Sequence, residues 1–257
     1  MLDVTTTRVT HATPAATFAH SADRNWENDA ELSEAAKSAG CIDIARQMVH
    51  SRFGTGPEVL MGGGRGQFMP ASHRDPEYDD KVGQRLDGRD LIAEWKQRHP
   101  RGRYVWSARQ LQQVPDKAPL LALFEPDHMQ YEHERKADRA GEPSLADMTR
   151  AAITRLRNNP KGYVLLVEGG RIDHAHHKGN AHRALVDTIA LSDAVKVADT
   201  MTSAEDTLIL VTFGFGYMNM DPGISLFCQI NCFIQCGRNY FQLGIEWHIA
   251  DSCKCCF

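Results

Sequence analysis

Continuous apolar runs alternate along this chain with segments in which apolar residues recur at helical spacing. The runs at residues 58–61, 163–167 and 207–212 predict strands, and the last two are apolar at nearly every position. Such runs are typical of central parallel strands that helices cover on both faces. The alternation therefore predicts an α/β fold, with a mostly parallel central sheet and helices on both of its faces.

Three segments have the apolar spacing of helices. The first covers residues 31–51 and is interrupted near Gly40. The second begins at Ser144, which can cap a helix, and carries Asp147 in its first turn. The third, residues 181–201, is long enough to cover the sheet. Its positions at helical spacing are Leu185, Ile189, Ser192, Val195 and Ala198.

Residues 72–89 and 117–143 are polar, acidic and rich in turn-forming residues. We expect them to form surface loops, or a loop-rich subdomain inserted at about residues 72–143. The α/β pattern predicts one partial domain over residues 1–217. Residues 218–257 do not resume the alternation and form a cysteine-rich tail, which contains Cys228, Cys232, Cys236, Cys253, Cys255 and Cys256.

Composition narrows the class of protein. With 257 residues, 42% of them hydrophobic and 24% charged, the chain can bury a sizeable core and is typical of a globular protein. Its formal net charge of −4 offers no broad basic surface, so we expect no nucleic-acid partner. The first residues lack the apolar stretch of a signal peptide, and no run reaches the roughly 18 apolar residues of a membrane span. We expect nothing in this sequence to direct secretion or anchoring.

The segment EGGRIDHAHH, residues 168–177, carries the strongest candidate chemistry. Glu168 ends a predicted strand, at the edge where open α/β sheets bind ligands. If a helix begins near Asp173, then Asp173 and His177 project from one helical face, and this carboxylate and imidazole suit zinc. Glu168 is a hard oxygen ligand that suits magnesium or a second metal. The alternative is a helix cap with solvated histidines, but several such groups directly after a buried strand favour a metal site.

A second cluster contains His11, Thr13 and Arg24. A threonine hydroxyl can complete a magnesium shell, and an arginine can hold a phosphate through two parallel hydrogen bonds. Taken alone, these residues favour an ordinary loop in which Thr13 or Ser21 caps a helix over a binding site.

Short motifs in a fixed order resemble the animal alkaline phosphatases, specifically the intestinal and placental-like group, over roughly residues 8–212. No single motif would suffice, but their order and spacing are highly specific. They are VTHATP at 9–14, ADRNW at 22–26, LMGGGR at 60–65, DPEY at 75–78, RLDG at 85–88, RYVW at 103–106, LFEP at 123–126 and VEGGRIDH at 167–174.

The resemblance implies roles for individual residues. Thr13 and Glu168 correspond to magnesium ligands, and Asp173 and His177 to ligands of one zinc ion. His11 corresponds to a residue near the water shell of the magnesium. The resemblance also implies a peripheral calcium site. One of its positions is occupied by Glu142, where the family is expected to have aspartate. Its ligands correspond to Glu77, Phe124 through its carbonyl oxygen, Glu125 and Glu142.

The resemblance further implies hydrolysis of phosphate monoesters through a phosphoserine intermediate, with Arg24 holding the substrate phosphate. Two zinc ions then divide the work of activating the nucleophile and stabilising the leaving group. Full-length relatives are expected to form homodimers. A lipid anchor is expected to hold them at the extracellular face of the plasma membrane, which is the only membrane contact implied.

Departures from the family pattern limit what we expect of this chain. It contains no Asp-Ser-Ala nucleophile motif, and residues 213–217 read FGFGY where the family is expected to have Ala-Asp-His-Ser-His. We therefore expect an incomplete sheet and a fragment that lacks the N-terminal nucleophile region and the C-terminal metal-binding region. The resemblance also implies a disulfide partner for Cys41, which would lie in that N-terminal region.

Three hypotheses follow from these departures. The chain is an inactive or impaired phosphatase, a non-catalytic relative that binds metal or phosphate, or a fragment that does not fold stably because missing strands leave open sheet edges. For the tail, residues 218–257, an aberrant gene junction is favoured over a small thiolate metal site, because its cysteine spacing fits no common zinc finger.

Overall fold

The computed structural model describes residues 2–51, 56–214 and 229–236. Its strands are β1 (Leu2–Arg8), β2 (Val59–Gly63), β3 (Arg103–Val105), β4 (Leu120–Leu123), β5 (Tyr163–Glu168), β6 (Thr207–Gly214) and β7 (Gln229–Cys236). Its α-helices are α1 (Ala12–Ala15), α2 (Glu34–Ser38), α3 (Ile44–Val49), α4 (Arg65–Phe68), α5 (Leu91–Arg98), α6 (Ala108–Gln112), α7 (Leu145–Leu156), α8 (Arg171–His177) and α9 (Ala181–Met201). Short 3-10 turns occupy Asp29–Glu31 and Arg135–Ala137.

The strands form one sheet in the order β3-β4-β2-β1-β5-β7-β6. The first five are parallel to one another, whereas β7 is antiparallel to both of its neighbours. The predicted mostly parallel sheet is therefore confirmed. In parallel strands the carboxyl ends meet at one edge, so the loops after β1, β4 and β5 all emerge on the same side.

Helices cover both faces of the sheet, as predicted. Alternate residues of a strand point to opposite faces, so Val59 packs with α7 and α9 while Leu60 packs with α3 and α5. Both core clusters consist of buried apolar side chains, aliphatic and aromatic. Burial of each large one contributes roughly 1.5–3 kcal/mol, so these two clusters stabilise the sheet edge on which the candidate site lies.

The prediction of a central strand at residues 207–212 is wrong in its placement. A strand forms there, but it is β6, the last in the order of the described sheet, and β7 separates it from β5. Leu208 and Leu210 remain 49% and 52% exposed. An apolar run indicates a strand, but it does not indicate which neighbour the strand will pair with.

The prediction of surface loops over residues 117–143 is wrong at β4, which is fully buried and pairs with β2 and β3. The short apolar run at residues 118–124 stands between polar segments and was not recognised as a strand. The wider assignment of residues 72–143 as an insertion stays a prediction. The predicted boundary at residue 217 and most of the cysteine-rich tail lie outside the described residues.

The helix predictions have mixed outcomes. Gly40, with a φ of +82°, separates α2 from α3 and confirms the interruption. The cap at Ser144 is confirmed, because its hydroxyl accepts a hydrogen bond from the Asp147 N–H and the Asp147 carboxylate accepts one from the Ser144 N–H.

For α9 the bounds match the prediction but the buried face does not. Leu185 and Ile189 are 65% and 61% exposed, whereas three of the six buried residues are alanines. Small side chains let α9 approach α7 and α8 closely. The buried residues of α9 are Ala184, Asp187, Leu191, Ala194, Val197 and Ala198. Within the described residues, no helix is both long and apolar enough to cross a membrane.

Candidate metal and phosphate site

The candidate site lies at the carboxyl edge of the parallel strands. β1 and β5 are neighbours, with Thr5 opposite Glu168, so the segments that follow them emerge side by side. His11 stands at the N-cap position of α1, which follows β1, and α8 follows β5. This is the edge at which open α/β sheets bind ligands.

Glu168 is fully buried at the end of β5. Its Oε2 accepts hydrogen bonds from the hydroxyls of Thr5 at 2.5 Å and Thr7 at 3.2 Å. Sequence reasoning missed these two threonines, although the run of three threonines in β1 could have drawn attention to them. They fix the orientation of the carboxylate that the sequence assigns to magnesium.

Asp173 and His177 come together on one face of α8, where Asp173 Oδ2 lies 3.3 Å from His177 Nε2. Zinc bonds of about 2.0–2.1 Å to oxygen and nitrogen at a tetrahedral angle place two ligand atoms about 3.3 Å apart. The pair therefore fits two ligands of one zinc ion without a change in side-chain separation.

Arg24 is exposed and its Nη2 lies 3.2 Å from His11 Nε2. Thr13 is half-buried in α1, two residues after His11. The structure thus places Arg24 next to His11, beside the segment that carries Thr13. The assignment of Thr13 to magnesium stays a prediction.

Two histidines that sequence reasoning missed join His11. The nitrogen atoms of His11, His128 and His174, one from each, lie within 4.8 Å of one another, and we call these three residues the imidazole cluster. Their ring centroids are 4.4–5.5 Å apart and the rings meet edge to face. His174 lay inside the motif already identified, whereas nothing in the sequence distinguishes His128 from a surface histidine.

His128 reaches the cluster because the loop after β4 crosses the end of β2. Gly63 makes the crossing possible, since a Cβ there would lie 2.1 Å from the carbonyl oxygen of Asp127. The loop is held by hydrogen bonds from the Gly64 N–H to that same oxygen at 2.7 Å and from the Met129 N–H to the Thr6 carbonyl at 3.1 Å. The triple glycine of the LMGGGR motif thus gives the loop room to bring His128 into the site.

The cluster lies in a positively charged environment. Burial and the charges of Arg24 and Arg8 lower the pKa of His11 to about 4. Burial and the charges of Arg171 and the neighbouring His11 lower the pKa of His174 to about 3. Burial and Arg8 lower the pKa of His128 as well. All three imidazoles are therefore neutral at neutral pH.

A second cluster, which we call the acidic cluster, contains Glu77, Glu125 and Asp138, whose carboxylate oxygens lie within 4.8 Å of one another. Burial and the charges of Glu77 and Asp138 raise the pKa of Glu125 to about 7. Burial and the charges of Glu125 and Asp138 raise the pKa of Glu142 to about 9, so Glu142 lies close to the cluster. Phe124 is buried next to Glu125 at the end of β4.

Asp138 was missed by sequence reasoning. Both of its carboxylate oxygens are buried and make no hydrogen bond within the described part of the chain. Several acidic residues stand between Glu125 and Glu142, and their spacing gives no reason to select this one. Buried oxygens without partners, next to two more carboxylates, are the donor set that calcium prefers.

Comparison with known proteins gives animal relatives along most of the chain. The tissue-nonspecific alkaline phosphatase of Rattus norvegicus is 49% identical over 217 residues, covering 81% of this chain and 41% of the relative. The Homo sapiens isozyme is 48% identical with the same coverage. The alkaline phosphatase of Gadus morhua is 45% identical over 228 residues, covering 83% of this chain and 46% of the relative. The chain thus spans less than half the length of these relatives.

Solved structures share the fold. The crystal structure of Thermus thermophilus alkaline phosphatase superposes with a TM-score of 0.63 at 33% identity, covering 81% of this chain and 38% of that one. The alkaline phosphatase of the Antarctic bacterium TAB5 gives a TM-score of 0.59 at 18% identity, covering 91% and 64%, and shows the fold alone.

The family prediction is confirmed, whereas its finer assignment to the intestinal and placental-like group is not tested by these relatives. The sequence model described as alkaline phosphatase matches residues 3–220, which is most of the chain. The same segment contains the candidate site residues at the sheet edge. The chain belongs to the alkaline phosphatase family.

Proposed function

We propose that this chain carries part of the machinery for hydrolysing phosphate monoesters, in the manner of an alkaline phosphatase with zinc, magnesium and a phosphoserine intermediate. The observation that carries the proposal is the approach of Asp173 to His177 at 3.3 Å on α8, at the sheet edge that also bears Arg24 and Glu168. This sequence matches less than half of the relatives' length. The nucleophilic serine and other groups are assigned to the parts of the relatives that it does not match.

Zinc and magnesium, when bound, supply electrophilic stabilisation of the phosphoryl oxygens and lower the pKa of bound water. Asp173 and His177 would hold zinc, and Glu168 with Thr13 would hold magnesium. The hydroxyls of Thr5 and Thr7 keep the Glu168 carboxylate in one orientation, which limits the reorganisation needed on metal binding.

Arg24 is proposed to hold the substrate phosphate. A guanidinium offers two parallel N–H donors to a phosphate and keeps its charge at every accessible pH. Its exposed position lets a substrate enter from solvent, and His11 at 3.2 Å limits the directions in which the side chain can extend. The positive charge offsets the negative charge that the equatorial oxygens carry in the transition state.

Hydrolysis of an aryl phosphate at alkaline pH with zinc and magnesium tests this proposal. Because the sequence contains no Asp-Ser-Ala motif, only residual turnover is expected of the parent chain. That residual rate should fall about 10²-fold or more in Arg24→Ala and in Asp173→Ala, as for loss of other groups that stabilise transition-state charge. His73→Ala, an exposed histidine away from the site, should keep the parent rate. Metal-dependent turnover that survives Asp173→Ala would contradict the assignment. An inactive parent that binds zinc through Asp173 would leave only metal binding, the role of a non-catalytic relative.

We also propose that the acidic cluster binds calcium. Glu77, the carbonyl of Phe124, Glu125 and Glu142 are the ligands that the family resemblance implies, and Asp138 adds a carboxylate on the basis of its buried, unpartnered oxygens. A divalent cation would offset the repulsion that raises the pKa of Glu125 and Glu142. Its binding would tie the loop after β4 to the loop that carries Glu77.

Calcium at 100 times its dissociation constant should stabilise the fold by about 2.7 kcal/mol. Asp138→Asn is expected to weaken calcium binding and remove most of that gain at the same calcium concentration. Asp199→Asn, an exposed position on α9, serves as the matched control. Urea unfolding with calcium and with a chelator measures both effects, and an equal calcium response in the two variants would exclude Asp138 as a ligand.

Dimer formation and a lipid anchor at the extracellular membrane face remain proposals for the complete family protein. They are carried over from the resemblance and add nothing to the chemistry of the site. The substrate class, phosphate monoesters, rests on the family and on Arg24.

A further inference from the structure

Each histidine of the imidazole cluster accepts a hydrogen bond from a group that can only donate. The backbone N–H of Arg8 lies 3.1 Å from His128 Nδ1, and Arg171 Nη1 lies 3.0 Å from His174 Nδ1. Arg24 Nη2 lies 3.2 Å from His11 Nε2. Backbone amides and guanidinium groups offer no acceptor, so in all three contacts the imidazole nitrogen is the acceptor.

These contacts fix the tautomers. A neutral imidazole has one acceptor nitrogen and one N–H, so the hydrogen lies on His11 Nδ1, His128 Nε2 and His174 Nε2. A histidine that binds a metal shows the reverse arrangement, in which the nitrogen away from the metal donates to a carboxylate or carbonyl. Three histidines that meet within 4.8 Å suggest a metal site by their spacing, but here their lone pairs are already used.

The surrounding charges favour an anion. Arg8 is paired with Glu27 and Asp127. Among the residues that the structure describes, neither Arg24 nor Arg171 forms an ion pair with a carboxylate. His11 Nδ1 is buried and makes no hydrogen bond within the same residues. Two guanidinium groups without carboxylate partners thus contact His11 and His174, and His128 lies within the same cluster. Each of the three imidazoles carries one N–H.

We propose that the imidazole cluster, together with Arg24 and Arg171, is a cradle for the phosphoryl oxyanion, and that His128 donates its Nε2–H to that anion. The inference rests on the proposed function, in which Arg24 holds the substrate phosphate, and adds His128 and Arg171 to the groups that recognise it. Neutral imidazole N–H groups bind phosphate oxygens without adding charge, which suits a site that already contains guanidinium groups.

Calorimetric titration of the chelator-treated chain with inorganic phosphate at neutral pH tests the cradle, and phenylphosphonate tests the esterified form of the same group. His128→Ala should weaken binding of both probes about tenfold, the equivalent of one hydrogen bond to a charged group. His128→Gln, whose amide can replace the Nε2–H donor, should restore most of the affinity. His73→Ala is the control and should bind like the parent.

A second readout does not depend on the variants folding. Nitrogen NMR of the parent chain should show His128 and His174 with hydrogen on Nε2 in the absence of metal. A bare Nε2 on His128, no phosphate binding by the parent, or equal affinities in His128→Ala and His73→Ala would each overturn the inference.

The two proposals can fail separately. Phosphate binding that depends on His128 without any ester hydrolysis would remove the proposed activity and support the cradle. Ester hydrolysis that depends on Arg24, with phosphate binding unaffected by His128→Ala, would support the activity and overturn the cradle.

Discussion

Asp187 is a buried acid, and its ionisation affects the stability of the fold. It lies on the inner face of α9, is 4% exposed, and accepts a hydrogen bond from the Glu132 N–H at 3.2 Å. Burial raises its pKa from 3.8 to about 7. The folded chain therefore keeps a proton that the unfolded chain releases between about pH 4 and pH 7, and the free energy of unfolding falls over that window as pH rises.

Asp187→Asn cannot ionise and should remove this contribution. The free energy of unfolding of the variant should fall less between pH 4 and pH 7 than that of the parent chain. The difference between the two decreases is expected to be on the order of 2–4 kcal/mol. Urea unfolding at half-unit pH intervals measures the difference. Asp193→Asn, exposed on the same helix, should follow the parent curve. A slope for Asp187→Asn equal to that of the parent would contradict the prediction.

At the scale of elements, the turn between β5 and α8 requires a glycine at position 170. Gly170 adopts ordinary helical angles, with φ −66° and ψ −18°, so its need for glycine is one of space. A Cβ there would lie 2.4 Å from Thr7 Cγ2 and 3.1 Å from the carboxyl carbon of Glu168. The same turn aims Glu168 and begins the helix that carries Asp173 and His177.

Gly170→Ala is therefore expected to cost about 1–3 kcal/mol of stability through overpacking against β1. It should also weaken zinc binding by displacing the start of α8. Gly169→Ala is the matched control, because its Cβ would meet the flexible end of Ile172 at 3.1 Å, and a smaller loss is expected. Urea unfolding and zinc titration of both variants check this, and equal losses would show that contact with Thr7 is not the cause.

Sequence patterns predicted elements that combine a long apolar run with clear boundaries. β5, α7 and α9 are of this kind, and Ser144 gave the start of α7 correctly. β1 was missed because the alternating threonines that it buries serve the Glu168 carboxylate and resemble the residues of an exposed strand. The prediction of the buried face of α9 was wrong because that face includes three alanines and Asp187, which give a weak hydrophobic signal.

At the scale of the whole molecule, sequence could predict the parts of the site that lie within one segment. Asp173 and His177 are four residues apart on a helix, so local geometry alone brings them together. His128 and Asp138 enter their clusters through the path of the loop after β4, which depends on the strand order β4-β2-β1. A lone histidine and a lone aspartate in a polar segment carry no local sign of that path.

Exposed apolar side chains on β6 and α9 lead to a prediction about association. Leu208 and Leu210 on β6, and Leu185 and Ile189 on α9, are each about half exposed or more. β6 is also the last strand in the order of the described sheet. A terminal strand with apolar side chains can pair with a second chain, and exposed apolar surface favours such association.

This chain is therefore expected to self-associate in a concentration-dependent way, and Leu210→Lys should shift it toward monomer because a charge on a terminal strand opposes pairing. Leu86→Lys provides the control, since Leu86 is 73% exposed in a loop remote from β6 in sequence and outside the sheet. Sedimentation velocity over a range of concentrations distinguishes the two. If both lysine variants dissociate the chain equally, net charge and not the β6 surface controls association; if neither does, the contact lies elsewhere.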